Sequence, residues 1–408
     1  MPLVSSRKQS PFCHFNYERE LPLKRAVDMA KTLFWISTAA IFYTYIGYPI
    51  AVWLLARARN RKVSKSEITP RVSVVIACHN EEANVRARIE NLLRCDYPPS
   101  LLDVIIVSDG STDSTAEIGR GFACDRVQAF AYEERKGKAA ALNVGVEMAT
   151  GEIILFADSR QSFEPGAIRE LAANFADPEV GAVSGELLLD GAASSSVNEG
   201  VGVYWKYEKW IRKSESRAGS VIGATGAIYS IRRELWQPLP ESTILDDVYT
   251  PMRIALGGHR VVFEENARAH DLIAESAGHE FTRKVRTLTG NYQLCQLMPR
   301  LLIPTRMLLL QFYSHKLMRL AAPIFLLLLF ATNLMTGLAS PSPRLFYRIT
   351  LAWQMIFYAA VLAGGYLLKK NRQMRLLNFA YVFSMMNAAA LVGLFHFLLS
   401  KRNVWARE

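Results

Sequence analysis

Four stretches of the chain, 32–56, 320–339, 349–368 and 376–399, contain no Asp, Glu, Lys or Arg. Each is long enough to cross the roughly 30 Å of hydrocarbon in a bilayer, which takes about 20 helical residues. The chain of 408 residues, 50% hydrophobic, has room for one large domain besides them. The first stretch starts late for a cleavable secretory signal, exceeds the usual apolar length and has no small-residue cleavage site, so it reads as an anchor. Gly47 and Pro49 within it are the residues that favour a break. The expected division is a polar segment 1–31, a span 32–56, a basic linker 57–71, a large domain 72–293, an amphipathic interfacial helix 294–315, three spans within 316–400 and a tail 401–408.

Loop charge sets the expected orientation. KKNRQMR (369–375), between the last two spans, holds four basic residues in seven and belongs on the cytoplasmic side. Two spans separate it from 72–293, so the large domain is expected in the cytoplasm too, on a multi-pass protein of the inner (cell) membrane. Both termini then fall on the far side, which their basic residues fit poorly. The net charge of +11 is spread over membrane-flanking segments and a candidate anion pocket, so nucleic acid is not an expected partner. The five cysteines form no C-x-x-C pair, which points to reduced thiols rather than a zinc site.

Between the spans, strand and helix patterns alternate. VSVVIAC (72–78), VIIVS (104–108), VQAFAY (127–132) and EIILFA (152–157) are apolar runs, and Val85, Ile89, Leu92 and Leu93 share one face of a helix for which Asn80 is a candidate cap. This alternation predicts an α/β fold with a mostly parallel central sheet and helices on both faces. From about 245 onward the pattern is helical, with Leu294, Leu297, Met298, Leu301 and Leu302 on one face and Pro304 interrupting. A helix on the membrane surface fits that stripe, and a domain helix packed on the core fits it as well.

The chemistry-bearing residues follow the strands. His79, Asn80 and Glu81 end the first, Asp109 (in SDGSTDST) the second and Asp158 the fourth. In such sheets, ligands bind beyond the carboxyl ends of the strands. A carboxylate at 109 suits a base N–H or a ribose hydroxyl. Lys136 and Lys138 in KGKAAALN, with the backbone amides of a helix start and Asn143 one turn on, suit an anion. Asp158 can share a hard cation such as Mg²⁺ or Mn²⁺ with phosphate oxygens. Asp246 and Asp247 open a helix, where the dipole favours negative charge, and one of them can deprotonate a hydroxyl. Arg283 and Arg286, three apart, can neutralise a departing diphosphate. Each feature also has a plain reading as a cap, a turn or a solvated charge.

In this order and spacing, residues 70–315 resemble glycosyltransferase family 2, in particular its membrane-integrated bacterial polysaccharide (exopolysaccharide) members, similar to cellulose, hyaluronan and poly-N-acetylglucosamine synthases. The resemblance implies a GT-A nucleotide-diphospho-sugar transferase domain. It implies that Ala77, His79 and Glu81 approach the nucleoside, that Asp109 holds the base, and that Lys138 and Asp158 also serve the nucleotide. It places Gly223, Thr225 and Gly226 of GATGAIYSIRRE (223–234) under the acceptor sugar. Asp247 matches the second acid of the family's TED sequence, its catalytic base, and Asp246 replaces the glutamate. Two positions depart from the family: the D-x-D metal motif reads Asp158-Ser159-Arg160, leaving Arg160 beside the diphosphate, and Q-x-x-R-W reads Arg283-Lys284-Val285-Arg286-Thr287.

The expected function is inverting transfer of a sugar from a nucleotide-sugar, such as a UDP-sugar, to a lipid-linked or oligosaccharide acceptor, with a divalent cation as the implied cofactor. Membrane lipid and export or polysaccharide-assembly proteins are the further expected partners. A processive synthase extruding its polymer is the alternative, and the missing tryptophan at 287 argues against it. A non-catalytic nucleotide-sugar scaffold is a lesser reading. A transporter would need charged pairs within the spans, and the spans hold polar groups such as Asn378, Asn387 and His396 instead.

Overall fold

The computed structural model describes residues 12–190, 196–272, 277–303, 307–339, 344–370, 372 and 374–399. The expected tail 401–408, the first part of the polar segment, and Pro304 lie outside the described residues.

The chain begins with helices α1 (Phe12–Phe42) and α2 (Tyr48–Arg59), joined by a π turn at Tyr43–Gly47. The break that Gly47 and Pro49 favoured is absent. The π turn carries the helix through Gly47, and Pro49, which has no N–H to donate, sits just beyond that irregularity.

Then β1 (Val72–Cys78), α3 (Glu82–Leu93), β2 (Leu102–Asp109), α4 (Thr115–Gly121), β3 (Val127–Tyr132), α5 (Lys138–Met148) and β4 (Ile153–Ala157) alternate as expected. They are followed by β5 (Ser162–Phe163), α6 (Ala167–Ala173), β6 (Val180–Asp190), α7 (Ser196–Ala218), β7 (Ile228–Arg232), α8 (Asp246–Leu256), β8 (Arg260–Leu272) and α9 (Ala277–Leu297). The last part comprises α10 (Met307–Phe312), a second π turn (Tyr313–Leu317), α11 (Met318–Ala339), α12 (Arg344–Lys369) and α13 (Arg375–Leu398).

The eight-stranded sheet runs β3-β2-β1-β4-β7-β6-β8-β5. Strands β3, β2, β1 and β4 are parallel to one another. β7 is antiparallel to both β4 and β6, β6 and β8 are parallel, and β5 is antiparallel to β8. The sheet is therefore mixed, its parallel half being the part read from the apolar runs. Alternate residues of β1 face opposite ways. Val75 packs with Ala141, Leu142 and Val146 of α5, whereas Val74 and Ile76 pack with Val85, Ile89 and Leu92 of α3. Each fully buried Leu or Ile contributes roughly 2 kcal/mol, so continuous apolar strands follow from covering both faces.

The structure departs from the sequence pattern at β8 and at 294–315. β8 lies inside the region read as helical. Its sequence, RVVFEENARAHDL, carries enough charge to hide the strand period, and it is fixed by pairing along β6, with register shifts after Val180 and Ser184. Segment 294–315 is not one amphipathic helix. It is the end of α9, a 3₁₀ turn at Pro299–Leu302, α10 and part of the π turn. Leu294, Met298, Leu301, Leu309 and Phe312 pack into the domain core, while Leu302, Ile303 and Leu310 are exposed.

Among the described residues, four helical stretches are long and apolar enough to cross a membrane: Lys24–Arg59, Met307–Leu338, Leu345–Lys369 and Arg375–Leu398. Each contains almost all of one charge-free stretch of the sequence. α2 packs on α7 through Tyr48, Val52 and Ala56 against Ile211 and Ala218, and α11 and α13 meet the sheet domain at α9. Thr289 Oγ1 donates to Gly393 O (3.3 Å), and Tyr292 Oη donates to the carbonyls of Leu320 and Ala390 (3.3 Å each).

Candidate active site

A cleft of about 300 Å³ opens at the carboxyl ends of β1, β2 and β4, lined by Ala77, His79, Glu81, Asp109, Lys138, Asp158, Arg160 and Arg286 among others. All of these were singled out from the sequence. β1 is flanked by β2 on one side and β4 on the other, so the loops after β1 and β4 leave in opposite senses and open a crevice between them. A groove of about 630 Å³ lies at the other end of these strands, around Pro70, Gly151 and Arg232. It is larger, but the converging acids and cations are in the first cleft.

Asp109 is buried, and its two carboxylate oxygens accept from the backbone N–H groups of Lys136 (2.7 Å) and Gly137 (2.8 Å). Two of the amides just ahead of α5 are therefore taken. Asp109 holds the loop that starts α5 and, through it, Lys138. Its own backbone is held in turn, because His79 Nδ1 donates to Asp109 O (2.7 Å). Asn80 is not the cap of α3. Its φ of 54° puts it in the left-handed region that Asn tolerates, its Oδ1 accepts from Thr112 N (2.9 Å) and Glu81 takes the cap position. Asn143 is bonded both ways to the backbone of Leu239 and Lys136 lies over the Tyr132 ring, so neither presents its polar end to the cleft.

Lys138 is the hub. Its Nζ lies 3.0 Å from Asp158 Oδ1 and 3.3 Å from Asp246 Oδ1. Burial opposes the ammonium charge, but Asp158, Asp246 and Asp247 outweigh it and push the lysine pKa up. Asp246 is buried at the start of α8 and its Oδ2 accepts from Tyr229 Oη (3.1 Å), a ring stacked on Phe156. Asp247 is half-buried, and its Oδ2 accepts from Gly226 N (3.1 Å). Burial first, then the neighbouring Asp246 carboxylate, raises its pKa to about 6, against the lowering pull of Lys138 and Lys316. That is where a general base serves neutral pH.

The expected acceptor loop touches Asp247 directly. A Cβ on Gly226 would stand 3.1 Å from Asp247 Oδ2, and Gly223 takes a φ of 125° against Val248. Thr225 is not open to a ligand through its hydroxyl alone. Arg212 Nη1 donates to its Oγ1 (2.6 Å), and Thr225 N donates to Ser184 Oγ (3.0 Å). Of the two arginines on α9, Arg286 lines the cleft, while Arg283 is ion-paired with the buried Glu280 (2.6 Å). Glu280 was not singled out from the sequence, nor was Arg212, because each takes its meaning from a partner on another turn or element.

Among the described residues, no group of three or more His, Cys, Asp or Glu is arranged to hold a metal ion. Asp158 presents a carboxylate with Oδ1 on Lys138, beside the exposed Arg160. A hard cation there would have one protein carboxylate and would complete its shell with phosphate and water oxygens, a pattern Mg²⁺ accepts.

A parallel half-sheet with a crevice at its switch point, continued by antiparallel β7, is the arrangement of a GT-A fold. The mannosyltransferase of Pyrobaculum calidifontis, solved with GDP-Man and Mn²⁺, has this fold: its TM-score is 0.68 at 22% identity, covering 91% of this chain and 99% of that one. Residues 73–237 match the sequence family described as Glycosyl transferase family 2. The chain is also similar to proteins named poly-beta-1,6-N-acetyl-D-glucosamine synthase. It is 25% identical to that of Staphylococcus epidermidis over 269 residues, 64% of this chain and 63% of the relative. It is 25% identical to that of Staphylococcus aureus over 231 residues, 55% of each. The chain thus spans less than two thirds of the length of these relatives.

Proposed function

We propose that the protein is an inverting, membrane-bound glycosyltransferase, moving a sugar from a nucleotide-sugar to a hydroxyl of a lipid-linked or growing glycan acceptor in polysaccharide synthesis. The observation that carries this reading is Asp247, a carboxylate held near pKa 6 beside a cleft lined by Lys138, Arg160 and Arg286. The acceptor oxygen attacks C1 of the donor sugar as its proton passes to Asp247, and the bond from C1 to the diphosphate oxygen breaks with that electron pair leaving on the diphosphate. Arg160 and Arg286 stabilise the departing charge. One displacement reverses the configuration at C1. A divalent cation held by Asp158 would supply Lewis-acid stabilisation of the same leaving group.

His79 and Glu81 face the nucleoside, and Asp109 serves it by fixing the loop before Lys138. The basic loop 369–375 supports an inner-membrane protein with its catalytic domain in the cytoplasm. The test is turnover of UDP-glucose, UDP-N-acetylglucosamine, UDP-galactose and GDP-mannose in membranes containing the wild type or Asp247→Asn. Wild-type rates in the variant would remove the assignment. The staphylococcal relatives favour a second reading, processive polymer synthesis. Product length separates the two: a long polymer made by one enzyme molecule favours processivity, and single-sugar addition excludes it.

A further inference from the structure

The cation that reaches the acceptor loop comes from neither the donor cleft nor α9. Arg212 stands on α7, with Nη1 donating to Thr225 Oγ1 (2.6 Å), Nη2 donating to Ala224 O (3.5 Å) and Nε 3.7 Å from Glu208 Oε1. Ala224 N donates to Asp247 O (2.7 Å) and Gly226 N to Asp247 Oδ2, so the loop that Arg212 grips holds both the backbone and the carboxylate of Asp247.

On its other side, Arg212 leans on a buried polar cluster at the head of α11. Arg319 Nη1 lies 2.8 Å from Glu208 Oε2, and His315 has Nε2 3.2 Å from Glu208 Oε1 and Nδ1 2.8 Å from Glu215 Oε1. Tyr48 Oη donates to the same Glu215 oxygen (2.5 Å) from the N-terminal membrane helix. Burial opposes the charge of Glu208, but His315, Arg319 and Arg212 hold it ionised. His315 belongs to the π turn Tyr313–Leu317, a helix irregularity of the kind found at functional sites. Breaking one partner of such a buried set leaves an uncompensated charge, which makes the cluster a rigid abutment.

We propose that Arg212 is a positioning residue for the base, tying the Ala224–Gly226 loop to the Glu208–His315–Arg319 cluster so that the membrane helices hold Asp247 in register. The inference rests on the assignment of Asp247 as the base. Misplacing a reacting group by about 1 Å costs on the order of a hundredfold in rate.

The experiment compares Arg212→Gln, Arg212→Lys, Thr225→Val and the double variant Arg212→Gln/Thr225→Val, in the full chain in membranes. Arg212→Gln is expected to lower kcat by about ten- to a hundredfold, with the donor KM and UDP affinity within about twofold of wild type, because its contacts lie outside the donor cleft. Arg212→Lys restores part of the rate, and the double variant is no slower than the slower single one, since both remove the same link. Wild-type kcat in Arg212→Gln, a loss confined to the donor KM, or losses that multiply in the double variant would each overturn the proposal. If Arg212→Gln does not fold, the cycle is run with Arg212→Lys in its place. Asp247→Asn assayed alongside keeps the two readings apart: activity there removes the base, whereas an inactive Asp247→Asn with a fully active Arg212→Gln removes only the tether.

Discussion

Lys138 Nζ lies 3.0 Å from Asp158 and 3.3 Å from Asp246, so one ammonium joins the acid at the end of β4 to the acid that opens α8. The pairing places the Asp158 wall of the cleft and the Asp246–Asp247 pair in one electrostatic unit. Asp247 makes no hydrogen bond or salt bridge to that lysine, and burial, then the neighbouring Asp246 carboxylate, raises its proton affinity.

Asp247→Asn is expected to lower kcat by about 10³-fold, the scale of general-base catalysis. In the wild type, the rate should fall below about pH 6, where Asp247 takes up its proton. The sign for stability is opposite. The folded state raises this carboxyl above its unfolded value, so its favourable contribution is present in acid and is lost as pH rises through about 6. At pH 7.5, roughly an ordinary assay pH, the Asn variant should therefore melt at or above the wild-type temperature. A pH–rate profile and thermal unfolding in one detergent check both statements.

Lys138→Gln removes the charge that pairs Asp158 with Asp246. A rate loss of about a hundredfold is expected, as for removal of one preorganised electrostatic partner. Because Lys138 lowers the Asp247 pKa, the acid limb should also move to higher pH. An unmoved limb would mean that the lysine does not act on the base.

If Asp158 is the protein ligand of a divalent cation, chelation should abolish turnover and Mn²⁺ should restore it. Asp158→Asn should then need a higher Mn²⁺ concentration for half-activation, by about tenfold or more. Full activity in chelator would show instead that Arg160, Arg286 and Lys138 handle the diphosphate alone.

Gly226→Ala puts a methyl group 3.1 Å from Asp247 Oδ2, closer than most Cβ contacts. The carboxylate must shift away from the amide that fixes it. A loss of about tenfold in kcat with UDP binding intact is expected, read by comparing turnover with nucleotide titration.

The sequence carried the parallel half of the sheet because β1, β2 and β4 are buried on both faces and so are written almost entirely in apolar residues. Acids at the ends of those strands stand out against that background, which is why Asp109 and Asp158 could be named. The identity of their partners was not legible. Asp109 turned out to grip the amides of its own neighbouring loop, and Asp158 a lysine, because such pairings depend on which loops meet. β8 was lost for a related reason. Its Glu264, Glu265, Arg268 and Asp271 break the strand period, and the charges are balanced across elements, as where Lys213 meets Glu265. Arg212 falls in a helix rich in Lys and Glu, where one arginine looks like any other until Thr225 appears beside it.

The hydrogen bonds from Thr289 and Tyr292 to Gly393, Leu320 and Ala390, together with Leu301 and Phe312 in the sheet domain's interior, have a practical side. Cutting the chain ahead of its C-terminal helices to obtain a freely dissolving enzyme would strip apolar side chains out of the domain and leave α9 bare along one flank. Such a fragment would aggregate rather than turn over. Purification of a working enzyme has to bring the hydrophobic helices along.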